Sequence, residues 1–440
     1  MAQEYNETTP RPKRDPDQIR RALQRRQAKT MRLLTLCAVL TVCCLVLVVI
    51  IIRGGQPQAS TPENTTTAPT ESTTLPATSE NPTQPPEPDT VIRLVFGGDL
   101  NITDKVVAAG TQDGRYDYTK LLMDVAPLLA DADATFLNLE GNFCGVPYGT
   151  GSASAPPELA AALKNAGVDF LQLANSYSIY NGLTGLSTTV NTLRSTGILP
   201  LGVFVSEAEQ SESQGFTLVN IGGIRVAIVA FTKGMDGMSL PSGSEGCVNL
   251  LYTDYATTYQ KVDEVGIRRV LQAAAAQQPD ITIALVHWGS EFNDTISPTQ
   301  QAIATMMQEE GVDAIVGTHS HFVQKIEYDP TAGTVIAWSL GDFLGDAEKS
   351  GTNYSILLQL EITRNNQTGQ TTISACDYTG LYVLTPEKDE APLQILRIDA
   401  VMTMYESNHI HKVSAQAYSN ICYALERIQA RTKYPAEPEP

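Results

Sequence analysis

Two histidines one residue apart, His319 and His321, follow directly on the short β-branched run 314–316 and its stop at Gly317. A His-x-His pair leaving a buried strand can turn both imidazoles toward one point, and neutral imidazole is the commonest protein ligand for a transition metal. The chain has five histidines. A third, His287, closes the apolar run 281–286 and is followed by Trp288. Other apolar runs end in groups of the same chemical kind. Residues 92–96 lead to Asp99 and Asn101, 134–139 to Asn138 and Glu140, 168–173 to Asn175, Ser176 and Tyr177, and 334–340 to Gly341 and Asp342. Carboxylates and imidazoles at this density suit one or two divalent ions such as Zn, Mn or Fe. Each residue alone has a plain structural use: Asp99 as a helix N-cap, Glu140 in a surface turn, His287 as a satisfied core histidine. As a set at strand ends they point to one site, because open α/β sheets place their ligands there.

The elements that must position these groups alternate in type. Strands are expected at 92–96, 134–139, 168–173, 216–220, 225–231, 281–286, 314–316 and 334–340. Helices are expected at 118–129, from Pro156 and Pro157 to Gly167, at 186–195, at 262–276 and from Ser297 through Met307. Later come strands at 355–363 and 371–376, a further strand at 393–402 and a terminal helix at 413–431. The alternation makes the class α/β. A second His-x-His, His409 and His411, sits in a polar segment without strand-end partners and reads as surface.

The amino-terminal part is of another kind. Residues 1–32 hold nine Lys or Arg against four Asp or Glu, a net +5, which leaves −23 for the rest of a chain whose formal charge is −18. Their polar, aperiodic composition predicts a disordered cytoplasmic tail. The uncharged run 33–52, LLTLCAVLTVCCLVLVVIII, makes a helix of roughly 30 Å and predicts a single membrane anchor over 33–53. Basic residues crowd its amino end, so the remainder is expected outside the cell. A Thr/Pro-rich linker, 54–90, is expected to tether a folded domain, 91–365, with a carboxyl-terminal extension, 366–432, and a disordered tail, 433–440. Of the seven cysteines, Cys144, Cys247, Cys376 and Cys422 fall in the outer part, with no zinc-motif spacing. So acidic an outer part excludes nucleic acid as a partner and repels any polyanion unless a metal or a local basic patch intervenes.

The motifs FGGDLN, FLNLEGN, ELAAALKNAGVDFLQLAN, LVHWGSEF, GTHSHFVQKIEY and WSLGDFLGD occur in that order over residues 92–362. Together they resemble the CapA family, also called PgsA, of poly-γ-glutamate capsule synthesis. The resemblance implies a calcineurin-like metallophosphoesterase fold, a four-layer α-β-β-α sandwich of two facing sheets flanked by helices. It implies membrane anchoring, a part in making or exporting an extracellular polymer, and other capsule-synthesis membrane subunits as partners. Carried over by position, Asp99, Glu140, His287, His319 and His321 match the expected metal ligands. Asn101, Asn138, Asn175, Trp288 and Asp342 are the expected substrate contacts, and His287 and Tyr177 the expected catalytic pair.

One loop departs from the family pattern. Members usually read Ala-Asn-Asn-His, whereas this chain has Ala174, Asn175, Ser176 and Tyr177. A tyrosine with a pKa near about 10 is a slower acid than a histidine near about 6.5. A milder departure is Asp342, where the family commonly has Asn. Three readings follow: a membrane component of capsule synthesis that holds a polymer through its cleft, with divalent cations bridging the two anions; a metal-dependent hydrolase of phosphoesters or γ-glutamyl amides; and a metal-free degenerate relative that serves as a binding component.

Overall fold

Parallel strands covered on both faces read as unbroken apolar runs, and this chain builds two sheets largely from such strands. The structure, a computed structural model, describes residues 87–385, 393–407 and 413–434. These belong to one compact unit that starts at Gln84. The expected basic tail, the membrane anchor, the linker up to residue 86, His409, His411 and residues 435–440 lie outside the described residues. Among the described residues no helix is long and apolar enough to cross a membrane.

In chain order the strands begin with β1 (Thr90–Asn101), β2 (Thr111–Gln112), β3 (Arg115–Tyr116), β4 (Ala134–Glu140), β5 (Phe170–Gln172) and β6 (Leu199–Leu201). Next come β7 (Phe216–Ile221), β8 (Ile224–Thr232), β9 (Ile281–His287), β10 (Ala314–Thr318), β11 (Ile326–Asp329) and β12 (Thr334–Ala337). The last are β13 (Asp342–Leu344), β14 (Tyr354–Arg364), β15 (Thr371–Leu384) and β16 (Gln394–Arg397). The first sheet has the order β16-β15-β14-β1-β4-β5-β6, with β13 added along β1; the second has the order β11-β12-β10-β9-β8-β7. β15 and β16 therefore continue the first sheet past residue 365.

The period of two within each strand decides which core a side chain joins. In β8, Val226, Ile228 and Ala230 enter a core shared by both sheets, while Ala227, Val229 and Phe231 enter one shared with helices Glu264–Ala275 and Pro298–Glu309. In β1, Ile92, Leu94 and Phe96 face the shared core, and Val95 and Leu100 join a third core with helices Pro157–Asn165 and Gly182–Thr196. Across neighbouring strands Phe96, Phe136 and Phe170 stack at centroid distances of 4.7 and 4.5 Å. The terminal helix Ala415–Thr432 adds Ile421, Ala424 and Ile428 to the shared core beside β14 and β15.

Helix Pro298–Glu309 starts with a capping box: Ser297 Oγ accepts from Gln300 N at 3.2 Å, and Gln300 Oε1 accepts from Ser297 N at 3.0 Å. Ser297→Ala is expected to cost about 1 kcal/mol in a urea melt, because it orphans one amide of the first turn. A variant that melts with the parent would show that the cap is idle.

Several elements differ from the sequence expectation. The segment 118–129 forms two short helices, Thr119–Leu122 and Ala126–Ala130, with Pro127 restarting the second. The run 393–402 is a strand only over β16 and then turns into helix Ile398–Glu406. Its apolar residues carry no period that separates the two states, and Asp399 in the first helical turn favours the switch. Helix Asp104–Gly110 and strands β6, β11 and β13 are additions.

Candidate metal centre

All the acidic groups of the site come from the first sheet and all its imidazoles from the second. β1 pairs in parallel with β4 and β13, and β9 pairs in parallel with β8 and β10, so carboxyl ends gather at one end of each sheet. Register puts Asp99 opposite Asn138 and Asp342, and Thr318 opposite His287. The ladder between β1 and β4 shifts between Phe96 and Asp99, at Gly97 and Gly98. There Asp99 N donates to Gly341 O at 3.0 Å, and a Cβ on Gly98 would stand 1.7 Å from that same oxygen. Only glycine lets the Gly341 carbonyl come so close and hold Asp99 in place.

His319 and His321 leave β10 with φ of +89° and +58°. Non-glycine residues held there cost on the order of 1–3 kcal/mol each, and such strain collects at functional sites. One compensation is visible: His319 N donates to Asp99 Oδ2 at 3.1 Å, a charge-assisted bond from one sheet to the other.

Two sets of donors result. Glu140, His287 and His319 form one, and Asp99, His321 and Asp342 the other; within each, one donor atom per residue lies within 4.8 Å of the other two. In the first set Glu140 Oε1 faces His287 Nε2 at 3.4 Å without a hydrogen bond. Glu140 Oε1 and His319 Nδ1 are buried and have no hydrogen-bond partner. Buried polar atoms left bare are costly, and a cation between them removes the cost. In the second set His321 Nδ1 lies 2.7 Å from Asp342 Oδ1 and 3.9 Å from Asp99 Oδ2. Three mixed N/O donors per set fit Zn, Mn or Fe, with room for a further ligand.

The surrounding groups orient these donors, as outer partners of metal sites generally do. Thr318 Oγ1 sits 3.1 Å from His287 Nδ1; when it accepts from Nδ1–H, the Nε2 lone pair faces Glu140. Asn138 Nδ2 donates to Asp99 Oδ1 at 2.6 Å, and Asn175 Nδ2 donates to Asn138 Oδ1 at 2.9 Å. Asn175 Oδ1 in turn accepts from Tyr177 N at 2.9 Å. A chain of amides thus ties the 175–177 loop to Asp99.

Charge states follow from burial and neighbours. Burial pushes Asp99 up to about 6, with Asp342 adding to the rise and His321 opposing it. Burial and the Asp99 carboxylate hold Glu140 well above the usual carboxylate range, and burial likewise raises Asp342. Burial and nearby cations keep His287 and His319 well below the ordinary imidazole value; Lys233, whose Nζ donates to Gly289 O at 2.7 Å, is one of those cations. For His321 burial works downward, but Asp342, by charge and hydrogen bond, and Glu140 and Asp99 carry it up to about 10. Burial followed by the charges of Glu140 and Glu291 raises Tyr177, which keeps its phenolic proton throughout the neutral range.

The structure thus brings together Asp99, Glu140, His287, His319 and His321, and it adds Asp342, expected as a substrate contact, to the second donor set. The surroundings of three other expected substrate contacts are as follows. Asn138 and Asn175 are buried and commit their amides to Asp99 and to each other. Trp288 is 1% exposed, stacks on Trp338 at 5.2 Å and donates Nε1–H to Trp338 O at 3.0 Å, so it belongs to the core under the helices. Asn101 is partly exposed beside Leu344, with Nδ2 3.5 Å from its carbonyl. Ser176 Oγ lies 3.2 Å from His287 Nε2, and the Tyr177 ring leans on Tyr180 at 5.5 Å. Thr318 and Lys233 were not singled out from sequence; their position at the ends of β10 and β8 was the available signal.

These features define a mixed α/β protein with a buried cleft of carboxylates and imidazoles where two sheets meet. Residues 93–347 match the family model described as bacterial capsule synthesis protein PGA_cap; the match covers more than half of the chain, and the chain belongs to this family. It is 26% identical over 216 residues to the capsule biosynthesis protein CapA of Bacillus anthracis, covering 48% of each. It is 25% identical over 301 residues to the PGA biosynthesis protein CapA of Bacillus subtilis, covering 66% of this chain and 72% of that one. Against the first of these the chain spans about half of the relative's length. Among solved structures, a phosphatase from Mycoplasma pneumoniae is similar at 13% identity and a TM-score of 0.42, over 67% of this chain and 94% of that one.

Proposed function

We propose that the chain is a membrane-anchored, extracellular component of poly-γ-glutamate capsule or envelope-polymer synthesis that holds divalent metal between its sheets and hydrolyses a phosphoester or γ-glutamyl amide there. The observation that carries the metal is the pair of bare buried atoms, Glu140 Oε1 and His319 Nδ1, within the first donor set. The three cores support a four-layer α-β-β-α sandwich of the metallophosphoesterase kind. The apolar run 33–52 behind a basic tail supports the anchor, with the bilayer and further capsule-synthesis subunits as partners.

Glu140, His287 and His319 would hold one ion and Asp99, His321 and Asp342 the other. A bound Zn, Mn or Fe ion supplies Lewis acidity and lowers the pKa of a water toward about 7. The chain's own groups do the rest. Asn138 and Asn175 fix Asp99; Thr318 fixes the His287 ring; Lys233 adds positive charge beside the two neutral imidazoles. Tyr177, held protonated, donates a hydrogen bond or its proton to the leaving group. Its raised pKa makes it a weak acid, so turnover is expected to be slow.

The test is Tyr177→His in the full chain, purified without chelator and assayed on phosphomonoesters and γ-glutamyl amides. A general acid with a pKa nearer neutrality is expected to raise turnover by about 10². Metal bound in full but no turnover from parent or variant would sink the hydrolase. It would favour the second reading, for which the Ser176/Tyr177 loop speaks: a cleft that only binds, gripping an anionic polymer through bridging cations.

A further inference from the structure

A second cavity lies beside the cleft and is walled by residues that the proposed chemistry does not use. It has a volume of about 480 Å³ and is lined by Glu348, Lys349, Asn420, Tyr423, Arg427 and Arg431, among others. The last four recur at helical spacing along one face of helix Ala415–Thr432. These residues all fall outside the range 93–347 that the chain shares with its family.

The cavity is basic in a part of the chain that is otherwise strongly acidic. Glu348 is paired with Lys105 at 3.3 Å, and Arg431 with Asp294 at 3.6 Å. Lys349 and Arg427 have no carboxylate within ion-pair distance among the described residues. Arg431 also leaves Nε and Nη1 buried without a hydrogen-bond partner. The cations are fixed to the aromatic wall of the metal cleft. Lys349 Nζ stands 3.2 Å above the Phe292 ring, and Phe292 stacks on His321 at 4.9 Å. The Arg431 guanidinium lies 4.4 Å above Phe322, the residue after His321, and 5.6 Å above Tyr354. Cation–π contact holds these charges in place, and Lys349 stays exposed to an incoming anion.

We propose that this cavity is a carboxylate subsite: it holds a side-chain carboxylate of an acidic polymer whose neighbouring unit enters the His/carboxylate cleft. The inference rests on the capsule reading above and deepens it. The planar fork of Arg427 matches a carboxylate, Lys349 adds a point charge, and Tyr423 offers an exposed ring to the polymer's apolar backbone. Two unpaired cations at this one place give an anionic chain a landing point on a surface that otherwise repels it.

The test is titration of the full chain with a fluorescent γ-linked glutamate oligomer and with its neutral γ-linked glutamine counterpart. The glutamate oligomer is expected to bind and the neutral one not to. Lys349→Glu/Arg427→Glu is expected to weaken binding by about tenfold or more, steeply so at low salt, with metal content unchanged. Unchanged affinity in that variant, with an unchanged melting temperature, overturns the subsite. Tighter binding of a glycerol-phosphate oligomer through the same two residues overturns the carboxylate assignment. Oligomer binding that depends on Lys349 and Arg427 in a chain that takes up no metal keeps the subsite and overturns only the cleft reading.

Discussion

The His319→Ala/His321→Ala double variant is expected to purify without divalent metal, while the parent carries it in whole-number stoichiometry by mass spectrometry. The reason is the division of the site: His319 belongs to the set with Glu140 and His287, and His321 to the set with Asp99 and Asp342. One double substitution leaves each set two donors, too few for a firmly held ion. Turnover is expected to vanish with the metal. The protonation pattern supplies an independent reading. In the metal-free site His321, carried up to about 10 by Asp342, Glu140 and Asp99, holds a proton at neutral pH, and burial makes Glu140 hold its proton more tightly than an ordinary carboxylate. Metal must displace them, and the heat of binding is expected to vary with the ionisation enthalpy of the buffer. Equal metal in parent and variant, or buffer-independent heat, would remove the two sets from consideration as ligands.

Gly98→Ala is expected to lower stability by about 3 kcal/mol or more and to strip the metal with it. The added methyl group would meet a backbone oxygen, Gly341 O, at 1.7 Å, and no rotamer change can relieve that contact. β1 and β13 must separate, which breaks the Asp99 N–Gly341 O bond and parts Asp99 from Asp342. Gly151→Ala is the control, since nothing stands within 4 Å of its added Cβ. A Gly98→Ala protein that melts within about 2 °C of the parent would show that this approach of strands is dispensable.

Much of the site was legible because strand ends leave a simple mark, an apolar run followed by a carboxylate, an amide or an imidazole. His287, His319 and His321 could be placed on that ground alone, and the motif resemblance added which carboxylates stand opposite. What the sequence hid was which side of a strand end faces the cleft. Trp288 follows His287 directly and so points to the opposite face, into the core under the helices. Asn138 and Asn175 have the chemistry of substrate contacts but are walled in by the groups they orient. Asp342 acquires its role only through the pairing of β13 with β1, a contact between residues far apart in the chain that no local pattern announces. The helices were legible where a cap and a period agreed, as at Ser297, and were lost where a short apolar run fitted either state, as at 393–402.

The origin of the donors in different sheets has a mechanical consequence. An ion in the first set would cross-link residues 140, 287 and 319, and one in the second set 99, 321 and 342. Each would close one long loop, from 140 to 287 or from 99 to 321, and closing long loops takes the most entropy from the unfolded chain. Metal would therefore rivet the mouth, where no hydrogen-bonded ladder joins the two sheets. Farther back, the shared core that contains Phe96, Phe136 and Phe170 holds the sheets together without it.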